Sequence, residues 1–177
     1  ELVFPMAVED VVLMGRYPHY GRVPTARDRE IVDRALALVE MTDQRRQSYP
    51  TLSGGEQQKV QLARVLAQIW NYDQPDGEKY LFLDEPTSNL DVHYQLHLLD
   101  VARELLGFHC TVIAILHDLN VAFHYGDAFF VLEQGLVAQE ADRADEISAS
   151  LIERVFHVNA RRLIDPETSE GFWRFNL

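Results

Sequence analysis

Three stretches of this chain carry residue types suited to phosphate chemistry. The first is Leu52-Ser53-Gly54-Gly55-Glu56-Gln57-Gln58. Ser53 stands three residues before Glu56, the spacing of a capping box that opens a helix over 57–70. A helix start leaves unpaired N–H groups and a partial positive charge, and Gly54 and Gly55 put no side chain in the way of a ligand. A serine hydroxyl and glycine amides at that place suit a phosphate. The second stretch, Tyr80 to Glu85, is an apolar run that ends in Asp84 and Glu85. Paired carboxylates at the end of an apolar strand are costly unless a cation or a partner compensates them. In phosphoryl transfer one such acid holds the magnesium shell while a neighbouring residue orients the attacking water. The plainer alternative is two solvated acids in a turn, since Pro86, Ser88 and Asn89 are turn residues. The third piece is His117, directly after the apolar run 111–116 and before Asp118. The C-terminal edge of a parallel strand is where open α/β sheets bind ligands, although a lone histidine is otherwise structural.

These residues need elements to hold them. Val8 to Arg16 places Val8, Val11, Val12 and Gly15 on one side at helical spacing, and 16–22, with Pro18 and Gly21 among aromatics, breaks that helix. Thr25 caps a second helix whose apolar stripe is Ile31, Val32, Ala35, Leu38 and Val39. A polar hinge over 42–50 leads to the Ser53 helix, so residues 6–71 read as all-helical. After Gly77 the character changes. Tyr80 to Leu83 and Thr111 to Leu116 read as buried parallel strands. Between them Asp91 to Leu106 is a helix with Leu96, Leu99, Ala102 and Leu106 on its apolar side and Gly107 as its C-terminal glycine. Strand, helix, strand is a βαβ unit with a right-handed crossover. Asp118 caps a short helix through Tyr125. Residues 128–132 and 136–138 flank a hairpin turn at Glu133-Gln134-Gly135, 147–158 form an amphipathic helix, and 163–177 an edge hairpin around Pro166 and Gly171. The fold class is α/β.

Composition narrows the partners. A formal net charge of −12 over 177 residues opposes nucleic acid and anionic lipid. No apolar run approaches the roughly 20 residues that span a bilayer, so a membrane role must come through a partner. The start at Glu1 carries no initiator methionine and no signal-peptide pattern, and reads as a chain entered part-way. The lone Cys110 excludes an intramolecular disulfide, fits a reducing cytoplasm, and reads as a small buried hydrophobe in a strand.

Taken together and in order, Leu52 to Glu56, Leu83-Asp84-Glu85-Pro86, Ser88-Asn89-Leu90-Asp91 and His117 resemble the ATP-binding cassette (ABC) ATPase family over nearly the whole chain. The resemblance implies part of a P-loop NTPase-type nucleotide-binding domain. Its helical subdomain would be 6–71, and 72–177 the distal part of the parallel-sheet core with a C-terminal helix and hairpin. It implies ATP and Mg²⁺ as cofactors. Ser53, Gly54, Gly55 and Glu56 match the signature motif, which contacts nucleotide held by the opposite subunit. Glu56 stands where the family more often has Gln. Asp84 matches the aspartate that holds Mg²⁺ through water, and Glu85 the glutamate that polarises the attacking water. Ser88 to Asp91 match the loop that links the two sites of a homodimer, and His117 the switch histidine at the γ-phosphate. No Gly-x-x-x-x-Gly-Lys-Ser/Thr occurs in the 177 residues. The phosphate loop, the Q-loop glutamine and the adenine-stacking aromatic are expected upstream of Glu1, so the chain as given is expected not to hydrolyse ATP.

Within the family, Phe4-Pro5, Val8-Glu9-Asp10-Val11-Val12 and Met14-Gly15-Arg16-Tyr17-Pro18-His19 look like the bacterial importers of haem, siderophores and cobalamin, and are most similar to the haemin-import ATPases. The long loop from Asn71 to Lys79 fits the same group. That resemblance implies a peripheral subunit on the cytoplasmic face of the inner membrane. It would contact transmembrane permease subunits through Val8–Gly21 and a periplasmic binding protein indirectly, and would drive uptake of haem or a related iron chelate. The rivals are a soluble cassette ATPase of DNA repair or translation, against which the acidic balance and the lack of a coiled-coil insert speak, and a non-hydrolytic binding module. His93 and His97 mimic a zinc pair, but Tyr94 stands where the motif needs glutamate, so a solvated helix face is expected. Tyr17, His19 and Tyr20 are better explained by a loop packed on a partner helix than by haem ligation. Phe172, Trp173 and Phe175 are expected to close the core or an interface.

Overall fold

The computed structural model describes residues 5–70, 78–87, 91–168 and 171–176. The chain divides into two compact units, 1–113 and 114–177. The first begins with three helices, α1 (Val8–Leu13), α2 (Ala26–Leu38) and α3 (Gly54–Ile69). Helix α1 has no side-chain cap; its first amides instead donate to the carbonyls of Gln47 at 3.0 Å and Arg45 at 2.9 Å. Helix α2 starts with a capping box between Thr25 and Asp28, and α3 with one between Ser53 and Glu56. Both boxes join residues three apart, so they form as soon as the first turn does. Val8, Val12, Ile31, Ala35, Leu36, Val60, Ala63, Leu66 and Ala67 are fully buried where α1 and α2 pack on α3.

The helix read from Val8 to Arg16 is shorter than expected. It ends at Leu13 and continues as a 3₁₀ turn over Met14–His19 that contains Pro18. A cause is visible at Gly15, where a Cβ would come within 2.1 Å of the Arg64 carbonyl oxygen. The turn runs against the α3 backbone, and a side chain at 15 would keep it away.

Strand β1 (Lys79–Asp84) hydrogen-bonds to β2 (Cys110–Ile115), and α4 (Val92–Glu104) lies between them in sequence. A helical connection of this kind is what parallel neighbours require. The expectation that both strands are buried is corrected. Leu81 and Cys110 are buried in the helical core, while Tyr80 and Phe82 are 53 % and 70 % exposed and Ile113 is 44 % exposed. Successive strand residues point to opposite faces, and here one face has cover and the other has none among the described residues.

Helix α4 also departs from expectation. Its buried positions are Leu98, Leu99, Val101 and Ala102, whereas Leu96 and Leu106 are exposed. Leu99 and Ala102 of the stripe read from spacing are buried as expected, and the face extends to Leu98 and Val101 instead of Leu96 and Leu106, on the side where α4 meets the C-terminus of α2. His97 Nε2 sits 2.6 Å from the Leu38 carbonyl oxygen. The helix ends in a 3₁₀ turn, Leu105–Phe108, and the left-handed residue that closes it is His109 (φ 56°), not Gly107.

In the second unit α5 (Leu119–Tyr125) follows its Asp118 cap, and β3 (Phe129–Glu133) pairs antiparallel with β4 (Leu136–Ala141). The two-residue turn has positive φ at Gln134 (51°) and Gly135 (79°), the pair of left-handed residues that matches the twist of a hairpin. Helix α6 (Ala149–Phe156) precedes β5 (Asn159–Ile164), which pairs antiparallel with β6 (Gly171–Asn176). Ala141, Ile147, Leu151, Ile152, Ala160 and Trp173 form this unit's core. Of the three aromatics expected to close the core or an interface, Trp173 closes the core, and Phe172 and Phe175 are exposed.

Candidate functional site

Ser53 caps α3, and its donors are already engaged. Its N–H donates to Glu56 Oε2 at 2.8 Å and its hydroxyl to the same oxygen at 2.6 Å. The hydrogen bonds from Ser53, helped by Lys59, outweigh desolvation and hold the Glu56 carboxyl below its ordinary value. A charged carboxylate therefore occupies the donors that an incoming phosphate would use. Beside it Gly54 is exposed, and a Cβ there would meet nothing within 4 Å. That leaves open space over the helix start.

The far end of α3 is held by a residue that periodicity could not single out. Arg16, 3 % exposed, donates from its Nη1 to the carbonyls of Ala67 at 2.7 Å and Trp70 at 2.8 Å. Its Nε donates to Asp28 Oδ1 at 3.0 Å. Burial pushes the Asp28 carboxyl up, and the hydrogen bonds from Thr25 and from the Arg16 guanidinium more than reverse this, so it lies below its ordinary value. One guanidinium thus joins the C-terminus of α3 to the N-terminus of α2. His19 adds a bond from its ring Nε2 to the Gln68 carbonyl at 2.7 Å.

Asp84 is the last residue of β1, and it is exposed. Glu85 follows with φ 46°, a left-handed conformation that costs a non-glycine residue on the order of 1–3 kcal/mol. The carboxylate pair is therefore not a relaxed turn: the chain bends sharply between the end of the strand and Pro86. Gln95 on α4 donates to the Thr87 carbonyl at 3.0 Å and steadies that bend. Asp91 caps α4, accepting from the Tyr94 N–H at 3.1 Å. Ser88, Asn89 and Leu90 lie outside the described residues, as do 71–77 of the loop before β1. His117 is exposed in the second unit, one residue before the cap of α5.

His97 is half-buried on α4 and bonded to Leu38, so it is not part of a solvated face, and no group of three metal-ligating side chains occurs among the described residues. Cys110 is buried in β2, and burial pushes its thiol up. Tyr17 and Tyr20 stack edge to face with centroids 5.7 Å apart. With Pro5, Met6, Asp10 and Leu13 they line an open cleft of about 310 Å³.

The family profile described as "ABC transporter" matches residues 4–88. A hemin import ATP-binding protein, HmuV of Gloeobacter violaceus, is 48% identical over 134 residues, which is 76% of this chain and 48% of that protein. The chain belongs to the ABC transporter family. HmuV proteins of Mesorhizobium japonicum and Escherichia coli O157:H7 are 41% and 37% identical and cover 90% and 93% of the chain. The chain spans 61% and 62% of those two relatives, so about half to three-fifths of the length of the curated relatives it matches. A solved inward-facing ABC transporter described as of putative metal-chelate type superposes with a TM-score of 0.80 over 99% of this chain and 68% of its own, at 23% identity. The dimeric structure of a bacterial ABC transporter cassette gives 0.62 at 26% identity over 80% of this chain and 59% of its own. The architecture is thus that of an ABC nucleotide-binding domain, seen in part. No helix among the described residues is long and apolar enough to cross a membrane.

Proposed function

We propose that this chain is the distal part of the ATP-hydrolysing subunit of a bacterial importer that takes up haemin or a related iron chelate. The observation that carries the hydrolytic part is the bend at Asp84-Glu85, where a strained Glu85 follows a strand-end aspartate. The cargo rests on the names of the HmuV relatives.

In this reading 6–71 serve as the helical subdomain and 72–177 as the distal core. Asp84 fits a hydrated cation: its carboxylate is exposed, and no hydrogen bond or ion pair to it occurs among the described residues. Mg²⁺ takes one or two carboxylates and keeps several waters, and when bound it neutralises charge on the phosphates. Glu85 accepts a proton from, or orients, the attacking water. His117 meets the γ-phosphate. Ser53, Gly54 and Gly55 reach nucleotide held by a second subunit of the homodimer, which requires Glu56 to release Ser53. Asp91 holds the start of α4 beside the loop that links the two sites.

Val8–Gly21 serve as the permease contact. The cleft between α1 and the Met14–His19 turn, with Tyr17 exposed on its wall, supports that assignment. The subunit would sit on the cytoplasmic face of the inner membrane, and a periplasmic binding protein would act through the permease. The 177 residues alone would bind partners without hydrolysing ATP, and hydrolysis belongs to the longer protein carrying a phosphate loop.

Glu85→Gln in that longer protein tests the reading. Single-turnover hydrolysis should fall by about 100-fold or more with ATP binding retained. An undiminished rate would remove Glu85 from the mechanism. With its permease in vesicles, the unsubstituted protein should respond to haemin and not to cobalamin, and the reverse response would overturn the cargo.

A further inference from the structure

The turn that carries His117 is tied down by a residue of no catalytic type. Asn120, three residues on, places its carboxamide against the backbone of Trp173 in β6. Its Nδ2 donates to the Trp173 carbonyl at 3.0 Å, and its Oδ1 accepts from the Trp173 N–H at 2.6 Å. The side chain thus does for β6 what a neighbouring strand would do, satisfying both backbone groups of one residue. Asp118 links this anchor to the histidine: its Oδ1 accepts from the N–H of Asn120 at 2.8 Å and of Val121 at 3.1 Å. One turn further along, the Phe123 ring lies 6.2 Å from the Trp173 ring and 5.3 Å from that of Phe129. Residues 120 and 123 share a helix face, so α5 grips Trp173 twice, by its backbone and by its indole. A helix of seven residues has little stability of its own, so its placement comes from such contacts.

We propose that Asn120 is a positioning residue for His117, anchoring the His117–Leu119 turn to the C-terminal hairpin through the Trp173 backbone. The inference rests on the reading that His117 meets the γ-phosphate. Only a carboxamide of this length offers a donor and an acceptor side by side at that place. Asp keeps the shape and loses the donor, and Ala loses both.

The test uses the longer parent protein with Asn120→Ala, Asn120→Asp, His117→Ala and the double variant His117→Ala/Asn120→Ala. Asn120→Ala should lower kcat by about tenfold or more and leave KM for ATP within about twofold, since misplacing a reacting group acts on the chemical step. Asn120→Asp should do the same. In the His117→Ala background Asn120→Ala should bring no further loss, because a residue that acts through another has nothing left to act on. Equal losses in both backgrounds would make Asn120 a structural residue only and overturn the inference. So would an unchanged kcat in Asn120→Ala, or loss of the fold in both Asn120 variants as judged by thermal melting. A His117→Ala protein at full rate is a distinct result: it removes His117 from the reaction, and the inference falls with it.

Discussion

Two regions of the first unit carry apolar side chains that end in opposite states. In α1, α2 and α3 the core-facing apolar side chains are buried against one another, with Val8, Val12, Ala35, Val60, Ala63, Leu66 and Ala67 at 0 % exposure. The core-facing side of β1 joins them through Leu81, while Phe82 on the other side is 70 % exposed. The difference is one of where the partners come from. The helices are close in sequence and find theirs within about sixty residues. Strand faces in α/β domains are covered by helices from other parts of the chain, and no such cover exists for this face among the described residues. Exposed apolar patches on a sheet mark a surface written for contact, or one that associates without it.

The helical region can be broken at its one buried guanidinium, with the largest effect expected. Arg16→Met removes three hydrogen bonds and leaves Asp28 buried with only Thr25 for company. Breaking a buried ion pair from one side costs about 3–5 kcal/mol. Urea unfolding of this chain, followed by Trp70 in a Trp173→Phe background, measures it. The pH dependence has a definite sign. Asp28 is held below its ordinary value, so its contribution is full above that value and is lost as pH falls through the lower folded one. In the variant the unpaired carboxylate is relieved by protonation, so the gap between the two proteins should narrow on acidification through about pH 4. A gap that widens would show that the pair does not hold α2 to α3.

Leu66→Ala should come next. Leu66 is fully buried on the face of α3 that meets α1 and α2, and such truncations cost about 2–5 kcal/mol. The same unfolding experiment reads it, and a loss under about 1 kcal/mol would mean that the helical core repacks freely.

What could be read from sequence divides along the same line as the two regions. The caps at Thr25, Ser53 and Asp118 were legible because each joins residues two or three apart. So were the hairpin at Gln134-Gly135 and the order of the candidate site residues, which are matters of residue type and spacing. The clamp at Arg16 joins residues 51 and 54 positions apart, and the Asn120 anchor spans 53, so neither leaves a local pattern. The buried face of α4 was read correctly at Leu99 and Ala102 and missed at Leu98 and Val101, because its apolar residues allow two overlapping stripes and only packing near Leu38 chooses between them. The left-handed Glu85 was also invisible: its neighbours name the chemistry but not the bend.

The smallest effect sharpens the comparison most. Phe82→Ser should change the stability of this chain by no more than about 0.5 kcal/mol, since a side chain already in water loses little by truncation. It should also weaken self-association in sedimentation velocity, because one of the largest exposed apolar groups of the β1 face has gone. In the longer protein the same substitution should behave like a core truncation, costing about 3 kcal/mol or more if added chain covers that face. The contrast between the two measurements isolates the cover itself, because the residue, the substitution and the strand are the same in both. A large loss in this chain would show that Phe82 is already packed and that the two regions do not differ. Equal small losses in both proteins would leave the face bare in the longer one as well, and would assign it to contact with another molecule.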